Sequence, residues 1–323
     1  MSFTSLTVTA KSRRHLRFRT IKADFPENTL ASFESAARAG ADGIETDVHI
    51  TSDDYLLMFH DPELGRTTQG GKGSINAQPY KGNIEFLKTN KLPEQQLPTF
   101  DETIEWLVKP ENRHITLHLD LKANNPPERL FTLMRKTFSR YVDWEQNIGP
   151  RIVLGIWHPA FMQHAVRNLP QLKRCYIGIE ITLASNPTFW DNCHAFSIAY
   201  PILATSTGQS FLRQCKDAKK EVYTWTLNRQ EEWVESAGWG VNVVMTDKPI
   251  EYLAFRKEME ESNHTLQPID PWFAWKNWTY YTFAHYVYRL IKWRTLERLG
   301  GPLKPYLSNS ITPPRRTLIS KQE

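Results

Sequence analysis

Eight apolar, strand-like runs alternate along the chain with stretches of helical character, and this alternation constrains the fold more than any other feature. The runs fall at residues 43–50, 55–59, 115–121, 152–156, 175–181, 195–199, 222–227 and 241–245, with helices expected at 99–108, 127–140, 159–168 and 210–219. A further helix is expected over 28–38, where Leu30, Phe33, Ala36 and Ala37 recur at helical spacing and Gly40 supplies a C-cap. Strands separated by crossover helices pair in parallel, and a chain of 323 residues holds one closed sheet of this kind with a short appendage. The predicted fold is α/β, a (β/α)8 TIM barrel over residues 15–260. No internal repeat is visible.

The first run reads Gly43-Ile44-Glu45-Thr46-Asp47-Val48. Period-2 alternation places Glu45 and Asp47 on one face of the strand, with His49 beside them. Two carboxylates on one face repel each other unless a cation lies between them, and a hard divalent ion, Mg2+ or Ca2+, is the usual occupant. His60 follows the second run, at the strand end where parallel barrels keep catalytic groups. Its imidazole titrates near neutral pH, which makes it the candidate general acid/base. Trp157, Tyr200, Trp225 and Asn228 fall near strand ends and are candidates for lining a pocket. His49 is expected behind the metal site or in solvent.

Several stretches, in order, resemble the glycerophosphodiester phosphodiesterase family. They are Phe25-Pro26-Glu27-Asn28-Thr29-Leu30, Gly43-Ile44-Glu45-Thr46-Asp47, Phe59-His60-Asp61, Leu119-Asp120-Leu121-Lys122, Thr224-Trp225-Thr226-Leu227-Asn228 and Thr246-Asp247-Lys248-Pro249. The resemblance runs from about Arg19 to about Phe255 and is closer to the fungal phosphatidylglycerol-specific phospholipase C branch. It implies a metal held by Glu45, Asp47 and Asp120, the broader family having Glu at the last position. It implies Arg19 and His60 as catalytic groups, with Lys122, on the strand face of Asp120, meeting a phosphate oxygen. Glu27, Trp225 and Asn228 are the expected substrate-side residues, Glu27 ordering the first loop. The implied substrate is a glycerophospholipid, phosphatidylglycerol, with a soluble glycerophosphodiester as the alternative. One position departs from the pattern: Phe18 stands where the family has a histidine paired with His60, and His15, three residues away, points to the opposite face of an extended strand and is a poor substitute. A degenerate paralogue that serves as a lipid-surface binding protein and a wrongly assigned first exon both account for Phe18.

Composition limits the partners. A formal charge of +5 is mild, and no basic stripe interleaved with aromatics runs through the body of the chain, which argues against nucleic acid. The cysteines, Cys175, Cys193 and Cys215, are odd in number and lack metal-ligand spacing, so they are expected to be reduced and buried. Residues 1–14 are Ser/Thr-rich without an apolar stretch, unlike a secretory signal, and are expected to be disordered. After a linker at 261–271, Trp272, Trp275, Trp278, Tyr280, Tyr281 and Trp293 crowd together with Lys276, Arg289, Lys292 and Arg294. That composition predicts a helix at a membrane interface over 272–300, too short in its uncharged part to span, followed by a disordered tail at 301–323. An anionic membrane surface and an intracellular, peripheral location are the corresponding expectations. The same helix could instead pack on the barrel flank, or do both with opposite faces.

Overall fold

The computed structural model describes residues 6–9, 25–261 and 291–307. Seven strands form a parallel sheet: β2 (Gly43–Ile50), β4 (Thr116–Leu121), β5 (Ile152–Ile156), β6 (Lys173–Gly178), β7 (Ala195–Ala199), β8 (Glu221–Trp225) and β9 (Val243–Thr246). Their order, β9-β8-β7-β6-β5-β4-β2, follows the sequence, as expected of a right-handed succession of strand–helix units. β1 (Leu6–Thr9) pairs antiparallel with β9 and also lies alongside β2, bringing the two ends of the curled sheet together. The fold is TIM-barrel-like.

Two sequence expectations are corrected here. β1 falls inside the 1–14 segment expected to be disordered. The run at 55–59 is β3 (Leu56–Met58), which pairs antiparallel with β2 as a hairpin and is not a parallel barrel strand. The connection over residues 51–55 is too short for a parallel crossover, which takes a dozen or more residues. The hairpin still brings the chain back to the site, because Phe59 donates its backbone N–H to the Asp47 carbonyl at 3.0 Å.

Alternation along each strand divides the core. Val153, Cys175, Ala195, Tyr223, Val243 and Met245 form one cluster inside the barrel. Their neighbours Leu154, Phe196 and Val222 belong to the larger layer between sheet and helices. α1 (Leu30–Ala39) begins at Thr29, whose hydroxyl and the Ser32 side chain exchange capping bonds, and ends at Gly40 with φ 96°, the left-handed conformation that favours glycine. Asn28, expected inside this helix, precedes it with φ 53°. All three cysteines are free and buried.

Residues 291–300 are helical and pack on the barrel flank, with Leu296 and Leu303 inside the main core. Residues Lys304–Leu307 form one more turn within the segment expected to be disordered. The linker after 261 and the aromatic stretch up to 290 lie outside the described residues. No helix among the described residues is long and apolar enough to cross a membrane.

Candidate active site

Strand register assembles the acidic cluster. β2 and β4 are parallel neighbours with Asp47 opposite Asp120, and Glu45 lies one inward position earlier on β2. Glu45, Asp47 and Asp120 each offer a carboxylate oxygen, and these oxygens lie within 4.8 Å of one another. The next strand, β5, leaves room by placing Gly155 opposite Asp120, where a Cβ would meet the Ile177 side chain at 2.4 Å and the His118 ring at 2.9 Å.

Each buried aspartate is held on both oxygens. Asn28 donates from Nδ2 to Asp47 Oδ2 at 2.8 Å and accepts on Oδ1 from the Asp47 backbone N–H at 3.1 Å and the Thr46 hydroxyl at 2.5 Å. Trp157 donates its indole N–H to Asp120 Oδ1 at 2.6 Å. Lys122 Nζ bridges the remaining oxygens, 2.5 Å from Asp47 Oδ1 and 2.8 Å from Asp120 Oδ2. Burial works against the Lys122 charge, but Asp120 and Asp47 outweigh it and hold the ammonium protonated above its ordinary range. Burial likewise works against the Asp120 carboxylate, while Lys122 and the Trp157 bond keep it below the usual range. Three carboxylates with oxygens this close form an all-oxygen donor set that fits a hard divalent cation.

His60 sits at the rim with its side chain 34% exposed and its Nδ1 2.7 Å from Asp61 Oδ1. This bond leaves Nε2 as the nitrogen available for proton transfer. Burial favours the neutral form of Asp61, but bonds from Arg66 and His60 keep it ionised. Arg66 also reaches Glu27 at 2.5 Å, tying the first loop to the His60 loop. His49 is buried, not exposed. Its Nε2 lies 3.3 Å from the His60 carbonyl and its Nδ1 3.4 Å from Asn124, so it sits behind the site. Burial, then the Lys122 charge, push the His49 ring down to about 3, which keeps it neutral.

At the C-terminal ends of β8 and β9, Asn228 donates to Asp247 Oδ2 at 2.8 Å and accepts from the Asp247 backbone N–H at 2.9 Å and the Thr246 hydroxyl at 3.0 Å. Asp247 is pushed up to about 6 by burial, against the Asn228 bond and helped by the Glu27 charge. Trp225 packs edge-on against Trp157 with ring centroids 5.9 Å apart. Tyr200 does not line the mouth. It is buried in an outer cluster, stacked on Trp239 and bonded to Glu235.

The structure thus brings together Glu45, Asp47, Asp120, Lys122 and Trp157, with His60 at the rim and Glu27 linked to its loop through Arg66. Arg19, Phe18 and His15 lie outside the described residues. The sequence reading missed Asn28, Asp61 and Arg66. Asn28 lies inside the quoted Pro26-Glu27-Asn28-Thr29 motif and Asp61 directly follows His60, so proximity to recognised motifs was the available signal.

Known proteins are similar to this chain over the segment that carries the site. A glycerophosphodiester phosphodiesterase of Caldanaerobacter subterraneus subsp. tengcongensis is 25% identical over 232 residues, covering 69% of this chain and 89% of the relative. Human glycerophosphodiester phosphodiesterase 1 is 32% identical over a shorter stretch, 31% of each chain. Among solved structures, a glycerophosphodiester phosphodiesterase from Parabacteroides distasonis superposes with a TM-score of 0.59 at 22% identity over 74% of this chain and 92% of that one. A phosphodiesterase of Oleispira antarctica, solved with the product sn-glycerol-3-phosphate, gives 0.56 at 22% identity over 74% and 92%. The glycerophosphoryl diester phosphodiesterase family profile matches residues 19–251. With a match over most of its length, the chain belongs to the glycerophosphoryl diester phosphodiesterase family.

Proposed function

We propose that the chain is a metal-dependent phospholipase C that hydrolyses phosphatidylglycerol to diacylglycerol and glycerol phosphate. The observation that carries the hydrolase reading is the convergence of Glu45, Asp47 and Asp120 within 4.8 Å, with Lys122 bridging two of them. A phosphodiester needs its charge neutralised, its attacking water deprotonated and its leaving alkoxide protonated. Glu45, Asp47 and Asp120 would hold a divalent ion, which when bound would supply positive charge for the phosphate and acidity for water. Lys122, and Arg19 by resemblance, add charge to the phosphate. His60, oriented by Asp61, exchanges the proton through Nε2 as water attacks phosphorus and the bond to the diacylglycerol oxygen breaks. Trp225, Asn228 and Glu27 belong to the substrate side of the mouth, Asn228 and Glu27 through the groups they hold.

A lipid substrate is supported by the tail. In the helix at 291–300, Ile291, Arg294, Arg298 and Leu299 are exposed while Leu296 is buried, so one face packs and the other offers cations and apolar groups to an anionic membrane surface. This favours an intracellular enzyme peripheral to the membrane. The soluble-diester reading draws on the names of the relatives and on the glycerol phosphate bound by the Oleispira protein. Purified protein with magnesium or calcium, given phosphatidylglycerol vesicles and glycerophosphocholine in parallel, distinguishes the two. Release of diacylglycerol, lost in Asp47→Ala, supports the phospholipase. Turnover of glycerophosphocholine alone replaces it with the soluble activity, and turnover of neither leaves a binding protein.

A further inference from the structure

Lys292 lies far outside the family segment at 19–251, yet its ammonium sits 5.1 Å over the Trp157 ring, and the same indole donates to Asp120. The segment that carries it is firmly docked. Leu296 and Leu303 are buried in the main core, and the His158 ring lies against Gly300 so closely that a Cβ there would come within 2.5 Å of it. His158 Nε2 also lies 3.1 Å from the Gly301 carbonyl, and Asn186 donates to the carbonyl of Tyr306. Residues 291–307 therefore form a strap across one side of the barrel, and its inner face brings a cation to the active-site mouth.

That cation is held where it costs energy. Burial and the neighbouring positive charge of Lys122 both work against the Lys292 charge, and Asp120 offsets them only in part. The aromatic face compensates part of the lost hydration. A packing role alone would be met by an apolar chain on the indole, without bringing a second ammonium close to Lys122. We propose that Lys292, delivered by the strap, is a substrate-binding residue that contacts the phosphate group from the Trp157 side. On this arrangement Lys122 approaches the phosphate from the carboxylate side, and Lys292 adds a second cation from the indole side. The inference rests on the phosphodiesterase reading of the site.

The test is titration of sn-glycerol 3-phosphate into the full chain with magnesium present, followed calorimetrically at low and high salt. Lys292→Met keeps a flexible apolar chain on the indole and removes the charge. It should weaken binding by about ten-fold or more, the loss of one charge-assisted hydrogen bond, and flatten the salt dependence. The melting temperature should not fall, and Lys292→Arg should restore the affinity. Unaltered binding by Lys292→Met overturns the inference while leaving the phosphodiesterase reading in place. So does a loss that comes with a lower melting temperature and is not restored by Lys292→Arg. If the unaltered chain binds no glycerol phosphate, both readings fall.

Discussion

Asn28 and Asn228 are locked to the aspartates that follow them by the same pattern of hydrogen bonds. Each side-chain amide donates to the carboxylate 19 residues on, and each amide oxygen accepts from that aspartate's N–H and from the hydroxyl of the threonine before it. Each lock spans a helix, α1 or α10 (Gln230–Trp239), that ends in a left-handed glycine, Gly40 or Gly240. The local device is repeated, but only Asp47 joins the acidic triad.

The two locks should therefore fail differently. Asn28→Ala is expected to weaken magnesium or calcium binding, and with it kcat/KM, by about 10–100-fold, because Asp47 loses its orienting donor. Asn228→Ala should leave metal affinity nearly unchanged and cost about 1–3 kcal/mol of stability. Calorimetric metal titration beside urea unfolding separates the two, and equal losses of metal affinity would contradict the distinction.

Acid should destabilise the fold through two buried histidines. Burial and the Lys122 charge push His49 down to about 3, and burial pushes His118 down to about 4. Both are neutral when folded, while the unfolded chain takes up protons below about pH 6.5. Their contribution is full above that pH and is lost as pH falls toward their folded values, by at most about 1.4 kcal/mol per unit per histidine. Both His118 ring nitrogens are buried without a hydrogen-bond partner among the described residues, so leucine there orphans no group. Urea unfolding of His118→Leu between pH 6.5 and 4.5 should show a shallower loss of stability with acid than the unaltered chain.

The family resemblance implies a histidine where this chain has Phe18. Phe18→His should raise diesterase activity by about 10²–10⁴-fold, the usual contribution of an acid/base group. Adding Asp47→Ala should erase the gain. A Phe18→His protein no faster than its parent on phosphatidylglycerol would show that the missing partner does not limit the rate.

The tail should have two separable functions. Deletion from residue 271 onward removes Leu296 and Leu303 from the core, and truncating each buried leucine costs about 2–5 kcal/mol. That deletion is expected to lower the melting temperature, as the flank-packing alternative for this helix requires. Arg294→Glu with Arg298→Glu alters only the exposed face. It should leave melting unchanged and reduce binding to anionic vesicles by about ten-fold or more, at roughly 1 kcal/mol per charge near the surface.

Much of the site was legible because strand alternation is a local rule. Glu45, Asp47 and His49 share a face by period, and the structure keeps them there. The pairing of Asp47 with Asp120 depends on the register between β2 and β4, more than 70 residues apart in sequence, and only the family resemblance pointed to it. The direction of β3 was legible and missed, since the short connection at 51–55 forbids a parallel crossover. β1 gave little signal, because four residues of alternating Leu, Thr and Val are too short for periodicity to stand out. The repeated asparagine lock escaped notice because it repeats three polar positions in fixed spacing, while the residues between them differ. Lys292 was counted among the membrane-facing cations, and only tertiary packing turns it toward Trp157.

The spacing of these contacts has an entropic consequence. Each asparagine lock closes a loop of 19 residues, whereas Lys292 meets Trp157 across 135 residues of chain. Short loops close at lower entropic cost than long ones. Holding Asp47 through Asn28 therefore costs less chain entropy than placing Lys292 through the strap.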